Sequence, residues 1–140
     1  EQENILIEAS QLELPLIDGP LVVETAGGLM VPLNRKLLQI DQIKNWNLPV
    51  LLVARSGLGT LNHTLLSLEA LQSRNIMVLG LVLNGPLHAD NPKTLEEIGG
   101  VPVISQLSKL PKLNANNLAK EWKNQKLEII FKQFSTPFNK

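Results

Sequence analysis

Two uninterrupted apolar runs constrain this chain more than anything else in it. Pro49 to Ala54 reads PVLLVA and Ile76 to Leu83 reads IMVLGLVL, and neither shows the polar alternation of a half-exposed strand. Runs of this length and composition are strands buried on both faces, as inside a parallel sheet. Between them lies a glycine loop, Arg55-Ser56-Gly57-Leu58-Gly59, and then a helical pattern that runs to about Ser73 with Thr60 as its expected N-cap. Strand, helix, strand in that order implies a right-handed crossover and parallel pairing.

The alternation continues on both sides. Ile5 to Leu14 reads as a helix, closed by Pro15 and the turn Asp18-Gly19-Pro20. Leu21 to Glu24 reads as a strand that breaks at Gly27-Gly28, and Lys36 to Trp46 as a helix through Leu37, Ile40 and Ile43. Asn91-Pro92 opens a short helix to Ile98, stopped by Gly99-Gly100. Val101 to Ser105 is the last expected strand, Asn116 to Ile130 the closing helix, and Ser135 to Lys140 a frayed tail. The expected fold is α/β: one domain over residues 1–140, with a parallel sheet of four strands and helices on both faces.

Composition removes several functional classes. Thirteen basic residues balance thirteen acidic ones, so the chain lacks the basic excess of a nucleic-acid binder. The aromatic fraction of 4% is too low for a base-stacking surface. With no cysteine there is no disulfide, thiolate nucleophile or cysteine metal site, which fits a cytoplasmic protein. No apolar run is long enough to span a bilayer, so no membrane partner is expected. The chain opens on Glu1-Gln2-Glu3-Asn4 rather than Met and is expected to be part of a longer polypeptide.

Ligands of parallel sheets bind beyond the carboxyl ends of the strands, and the informative residues fall there. Glu24 ends a strand before two glycines, where a carboxylate can hold magnesium and backbone amides can approach an anion; an exposed Glu at a turn is the plain alternative. Gly57-Leu58-Gly59-Thr60 opens a helix whose free amides and dipole favour a carboxylate or a phosphate, although an ordinary strand-to-helix turn has the same spacing. It is not a phosphate loop, because no Lys follows Gly59. The amide of Asn84, in Asn84-Gly85-Pro86, suits a purine edge, and Asn-Gly is also a common turn dipeptide. Ser108 and Lys109 could touch a nucleotide or begin a loop. His63 and His88 stand in different segments and make no two-histidine metal site. Glu96 and Glu97 read as solvated, Trp46 and Trp122 as packing residues, and no nucleophilic triad is visible, so no catalytic residue is assigned.

Taken in order, VVETAGGLMVPL, PVLLVARSGLGTLNHTLLSLEAL, VLGLVLNG and GGVPVISQL resemble the dethiobiotin synthetase family over roughly residues 10–110. GLGTLNHTLL is the most specific segment. The resemblance implies a P-loop nucleoside-triphosphatase sheet, usually dimeric, with substrate at the subunit interface. It implies a ligase of biotin biosynthesis that uses ATP and Mg2+. In that reaction 7,8-diaminopelargonic acid is carbamated by carbon dioxide, MgATP phosphorylates the carbamate, and the second amine closes the ureido ring. Carried over by residue, Glu24 corresponds to a magnesium-binding Glu. Thr25, Ala26, Gly27 and Gly28 correspond to the loop beside the phosphates and the substrate. Gly59, Thr60, Leu61 and Asn62 correspond to a helix start that holds the substrate carboxylate from the neighbouring subunit. Asn84 and Gly85 correspond to the adenine-reading turn, and Ser108, Lys109 and Leu110 to a second loop beside adenine.

The departures concern what is missing. The family's first half carries the glycine-rich loop with its Lys and Thr, a second Lys near the carbamate and a magnesium-binding Asp, and this sequence holds none of them. Thr25 stands where Gly is common and Ser108 where Pro is common. The expectation is therefore a carboxyl-terminal portion that lacks the P-loop half and is inactive by itself, since phosphoryl transfer needs the phosphates clamped. The alternative is a catalytically inactive relative that serves as a binding or interaction domain. A third reading, an amidotransferase-type synthetase of the same superfamily, does not account for Leu58 to His63.

Overall fold

The computed structural model describes residues 7–134. Its centre is a parallel sheet of three strands, β3 (Val50–Arg55), β4 (Val78–Asn84) and β5 (Val103–Leu107), in the order β3-β4-β5. The two apolar runs are thus neighbouring parallel strands, as the sequence pattern requires, with Leu52 beside Leu81 and Arg55 beside Asn84. The sheet is flanked by helices: α1 (Gln39–Trp46), α2 (Thr60–Gln72), α3 (Asn91–Gly99), α4 (Ala115–Asn124) and α5 (Leu127–Phe134).

Two clusters bury the helices against the sheet. Ile40 and Ile43 of α1 meet Leu71 and Ile76, with Val50, Leu52 and Val78 beneath them. Leu68 of α2 and Leu95 of α3 meet Leu81 and Leu83, with Ala54 and Val103 at the margin. Each such side chain contributes about 1.5–3 kcal/mol by leaving water. The helices α2 and α3 cross at Gly99, where an added Cβ would lie 2.5 Å from Leu68 Cδ1. Gln72 Nε2 donates to the Gly99 carbonyl at 3.0 Å and locks that crossing.

Several expectations are corrected. Leu21 to Glu24 is not a strand: it pairs with nothing among the described residues, and Val22 is 91% exposed. An apolar segment becomes a parallel strand only when a neighbour supplies a hydrogen-bonding ladder, and β3 does not take this one. The sheet accordingly has three strands where four were expected. The helix expected over Ile5 to Leu14 is a 3-10 turn at Ala9–Leu12, with Ile5 and Leu6 outside the described residues. Before α1, β1 (Pro32–Asn34) and β2 (Leu37–Leu38) form a small antiparallel hairpin that the helical spacing concealed. The closing helix is two helices, because Lys126 turns to φ 54. Gln125 leaves the helix there to donate to the Gln106 carbonyl at 2.8 Å and to accept from Ser105 Oγ. The tail from Ser135 lies outside the described residues.

Trp46 packs as expected, its Nε1 donating to the Leu12 carbonyl at 2.6 Å. Trp122 stacks on Phe131 with ring centres 5.4 Å apart. Glu96 is exposed, as expected, and its carboxylate also accepts the Val103 N–H at 2.7 Å, which ties α3 to β5.

One edge of the sheet is open. Among the described residues β3 has no strand on its outer side, and Val53 is 60% exposed. An apolar edge strand of this kind pairs with other chains. The 140-residue chain is therefore expected to self-associate in light scattering, and Val53→Lys to shift it toward smaller species. A monodisperse, soluble wild-type monomer would contradict this.

Candidate functional site at the carboxyl edge of the sheet

Backbone hydrogen bonds tie the three strand ends together. Ser56 N–H donates to the Asn84 carbonyl at 2.9 Å, and Gly85 N–H donates to the Leu107 carbonyl at 2.8 Å. Ser56 is buried and its hydroxyl donates to the Pro86 carbonyl. Gly85 sits at φ 137, and a Cβ there would come 2.9 Å from the Ser56 carbonyl. Only glycine lets the β4 turn lie so close against the β3 turn. Arg55, Asn84 and Leu107 then stand in register across the edge. Ser108, Lys109 and Leu110 follow directly, with Ser108 and Lys109 exposed. The edge thus brings together the Asn84-Gly85 turn and the Ser108 loop, as the sequence reading expects.

The start of α2 rises from the same edge. Thr60 was expected to cap it, but the cap position belongs to Gly59 at φ 86, and no side chain closes the helix start. Thr60 N–H donates to the Gly57 carbonyl at 3.1 Å and His63 N–H to the Gly59 carbonyl at 3.0 Å. The N–H groups of Leu61 and Asn62 carry no hydrogen bond among the described residues. Thr60 is 5% exposed, and its hydroxyl is buried without a partner. A helix of this length directs the positive end of its dipole at such a place. Free amides, an unused hydroxyl and the dipole together suit an anion. His63 lies beside this turn, its ring against Gly59, and is exposed.

Glu24 is not hydrogen-bonded to the strand ends among the described residues. The segment Glu24 to Gly28 is irregular and mostly exposed, and its anchors lead to α1 rather than to the strand ends. Gln39 Nε2 donates to the Gly28 carbonyl at 3.0 Å, and Ile40 N–H donates to the Leu29 carbonyl at 2.9 Å. Gly27 turns the chain at φ 77. No hydrogen bond among the described residues joins Thr25, Ala26 or Gly27 to the Asn84 turn or to the α2 start. No group of three or more His, Cys, Asp or Glu gathers as a metal cage among the described residues. Magnesium commonly takes one or two carboxylates and completes its shell with phosphates and water, so the exposed Glu24 carboxylate fits as a single ligand.

Sequence reasoning passed over Ser56, which holds the β3 and β4 turns together. It weighed His88 only as a metal ligand, whereas its Nδ1 accepts the N–H groups of Asp90 and Asn91 at 3.3 and 3.1 Å and so closes the start of α3. A buried serine one residue past an apolar strand was the available signal for the first. Removing the hydroxyl leaves the Pro86 carbonyl without its donor. Ser56→Ala is therefore expected to cost about 1–3 kcal/mol in denaturant unfolding.

A family model described as "AAA domain" matches residues 1–117. The chain is 46% identical over 118 residues to the ATP-dependent dethiobiotin synthetase of Paramagnetospirillum magneticum, covering 84% of this chain and 58% of that protein. It is 47% identical over 118 residues to the same enzyme of Rhodopseudomonas palustris strain HaA2, covering 84% and 55%. To the biotin biosynthesis bifunctional protein BioCD of Bordetella avium it is 52% identical over 113 residues, covering 81% and 24%. The chain thus spans little more than half the length of the synthetases it matches. The family and the parallel sheet agree on a partial P-loop nucleoside-triphosphatase fold.

Proposed function

Because this chain belongs to the AAA domain family, we propose that it is the carboxyl-terminal portion of an ATP-dependent dethiobiotin synthetase. The observation that carries the reading is the carboxyl edge of the sheet. There an uncapped helix start with two free amides and a buried, unpartnered Thr60 hydroxyl follows the β3 turn, whose Ser56 N–H donates to the Asn84 carbonyl. Both segments fall within the stretch that resembles the synthetases.

In this reading the chain supplies three functions. The amides at Leu61 and Asn62, with Gly59 and Thr60, receive the carboxylate of 7,8-diaminopelargonic acid. They reach it from the neighbouring subunit of a homodimer, so that the amines lie at the interface. Asn84 and Gly85 receive adenine, with Ser108, Lys109 and Leu110 on its other side. Glu24 holds the Mg2+ that accompanies ATP, and Thr25, Ala26, Gly27 and Gly28 lie beside the phosphates. ATP, when bound, supplies the phosphoryl group that activates the carbamate formed from carbon dioxide. The clamp for those phosphates belongs to the part of the synthetase that this chain does not contain. The site works in the cytoplasm as one half of a ligase and is silent alone. Among the described residues no helix is long and apolar enough to cross a membrane.

The direct test is dethiobiotin formation from the diamino acid, bicarbonate and MgATP by the longer polypeptide. The 140-residue chain assayed alone is expected to give no turnover. In the longer polypeptide, Glu24→Gln is expected to lower magnesium-dependent turnover by about tenfold or more, with the melting temperature unchanged. Parallel losses of melting temperature and activity would make Glu24 a structural residue. Leu61→Pro, which removes one of the two free N–H groups in a first helical turn that tolerates proline, is expected to raise KM for the diamino acid by about tenfold and to leave KM for ATP alone. The opposite order would move the α2 start to the nucleotide.

A further inference from the structure

Arg55 ends β3 at the carboxyl edge, exposed, and its guanidinium has neither a hydrogen bond nor an ion pair among the described residues. Three other cations of the chain are held in ion pairs: Arg74 lies 3.6 Å from Asp41, Lys93 lies 3.8 Å from Glu97, and Lys132 lies 2.8 Å from Glu128. No Asp or Glu occurs between Asp41 and Glu69, so nothing nearby in the chain compensates Arg55. In the sheet register Arg55 stands directly beside Asn84. Paired residues on adjacent parallel strands are about 4.8 Å apart and turn toward the same face.

The helices that leave this edge differ in how they begin. His88 closes the start of α3, and Asn114 closes that of α4 by accepting the Asn117 N–H at 2.9 Å. The start of α2, which follows Arg55 in the chain, is closed by no side chain. On the β3 side of Asn84, the cation nearest in register to a group held there is therefore Arg55.

We propose that Arg55 holds a phosphate oxygen of the nucleotide whose base the Asn84 turn receives. The inference rests on the nucleotide reading above and adds a residue to it. A guanidinium presents a planar fork that two phosphate oxygens satisfy together, and it remains charged at any working pH. With no ion pair or hydrogen bond among the described residues, Arg55 offers that fork without breaking a contact. The nucleotide then lies across the ends of β4 and β3, base over Asn84 and phosphates toward Arg55.

The test is calorimetric titration of the longer polypeptide with ADP and with adenosine, for the wild type, Arg55→Ala and Arg55→Lys. Arg55→Ala is expected to weaken ADP by about tenfold or more and to leave adenosine and the melting temperature unchanged. Arg55→Lys is expected to fall between the two for ADP. Unchanged ADP affinity in Arg55→Ala, or an equal loss for ADP and adenosine, would overturn the assignment. So would a rise in KM confined to the diamino acid, which would give the guanidinium to the substrate carboxylate. A wild-type protein that binds no ADP would remove the nucleotide reading itself, whereas wild-type binding matched by Arg55→Ala removes Arg55 alone.

Discussion

Everything at the candidate site depends on how the strand ends are tied. Backbone donors from Ser56 and Gly85 reach across to the carbonyls of Asn84 and Leu107, so each turn is held by the strand beside it. These bonds continue the parallel ladder by one residue past the strands, into the region where the chain would otherwise splay. The Ser56 hydroxyl adds a bond to the Pro86 carbonyl, and Gly85 removes the side chain that would block the approach. A turn held this way presents the Asn84 side chain at a defined place without spending that side chain on its own support.

Charge distribution follows the same division of labour. The stretch from Gln42 to Leu68 contains no carboxylate, and it includes both β3 and the start of α2. Three carboxylates elsewhere serve the scaffold: Asp41 meets Arg74, Glu96 accepts from Val103, and Glu128 meets Lys132, which holds its carboxyl below the usual range. The strand ends near α2 are thus left with a positive bias even though the whole chain has a formal net charge of +0. Local compensation decides where an anion can settle, and net charge does not.

The parallel sheet was legible because PVLLVA and IMVLGLVL are apolar without alternation and are separated by one helix length. The boundaries of β3, β4 and α3 fall within two residues of the pattern, since Gly, Pro and Asn punctuate them. Leu21 to Glu24 has the same local character and is not a strand. A strand is a relation between two segments, and apolar content names only one of them. The break at Lys126 was equally hidden, because it follows from Gln125 finding Ser105 and Gln106 on β5.

The kind of residue at each strand end was set locally: a glycine loop into a helix, an Asn-Gly turn and a short polar loop. Those follow from local chemistry, in which glycine, asparagine and proline restrict the backbone wherever they stand. Which of them meet was settled by packing between distant segments. It placed Arg55 beside Asn84, left the Thr60 hydroxyl buried and unpaired, and anchored the Glu24 to Gly28 segment on α1. Register and burial depend on contacts between residues far apart in the chain, and no periodicity within one segment carries that information.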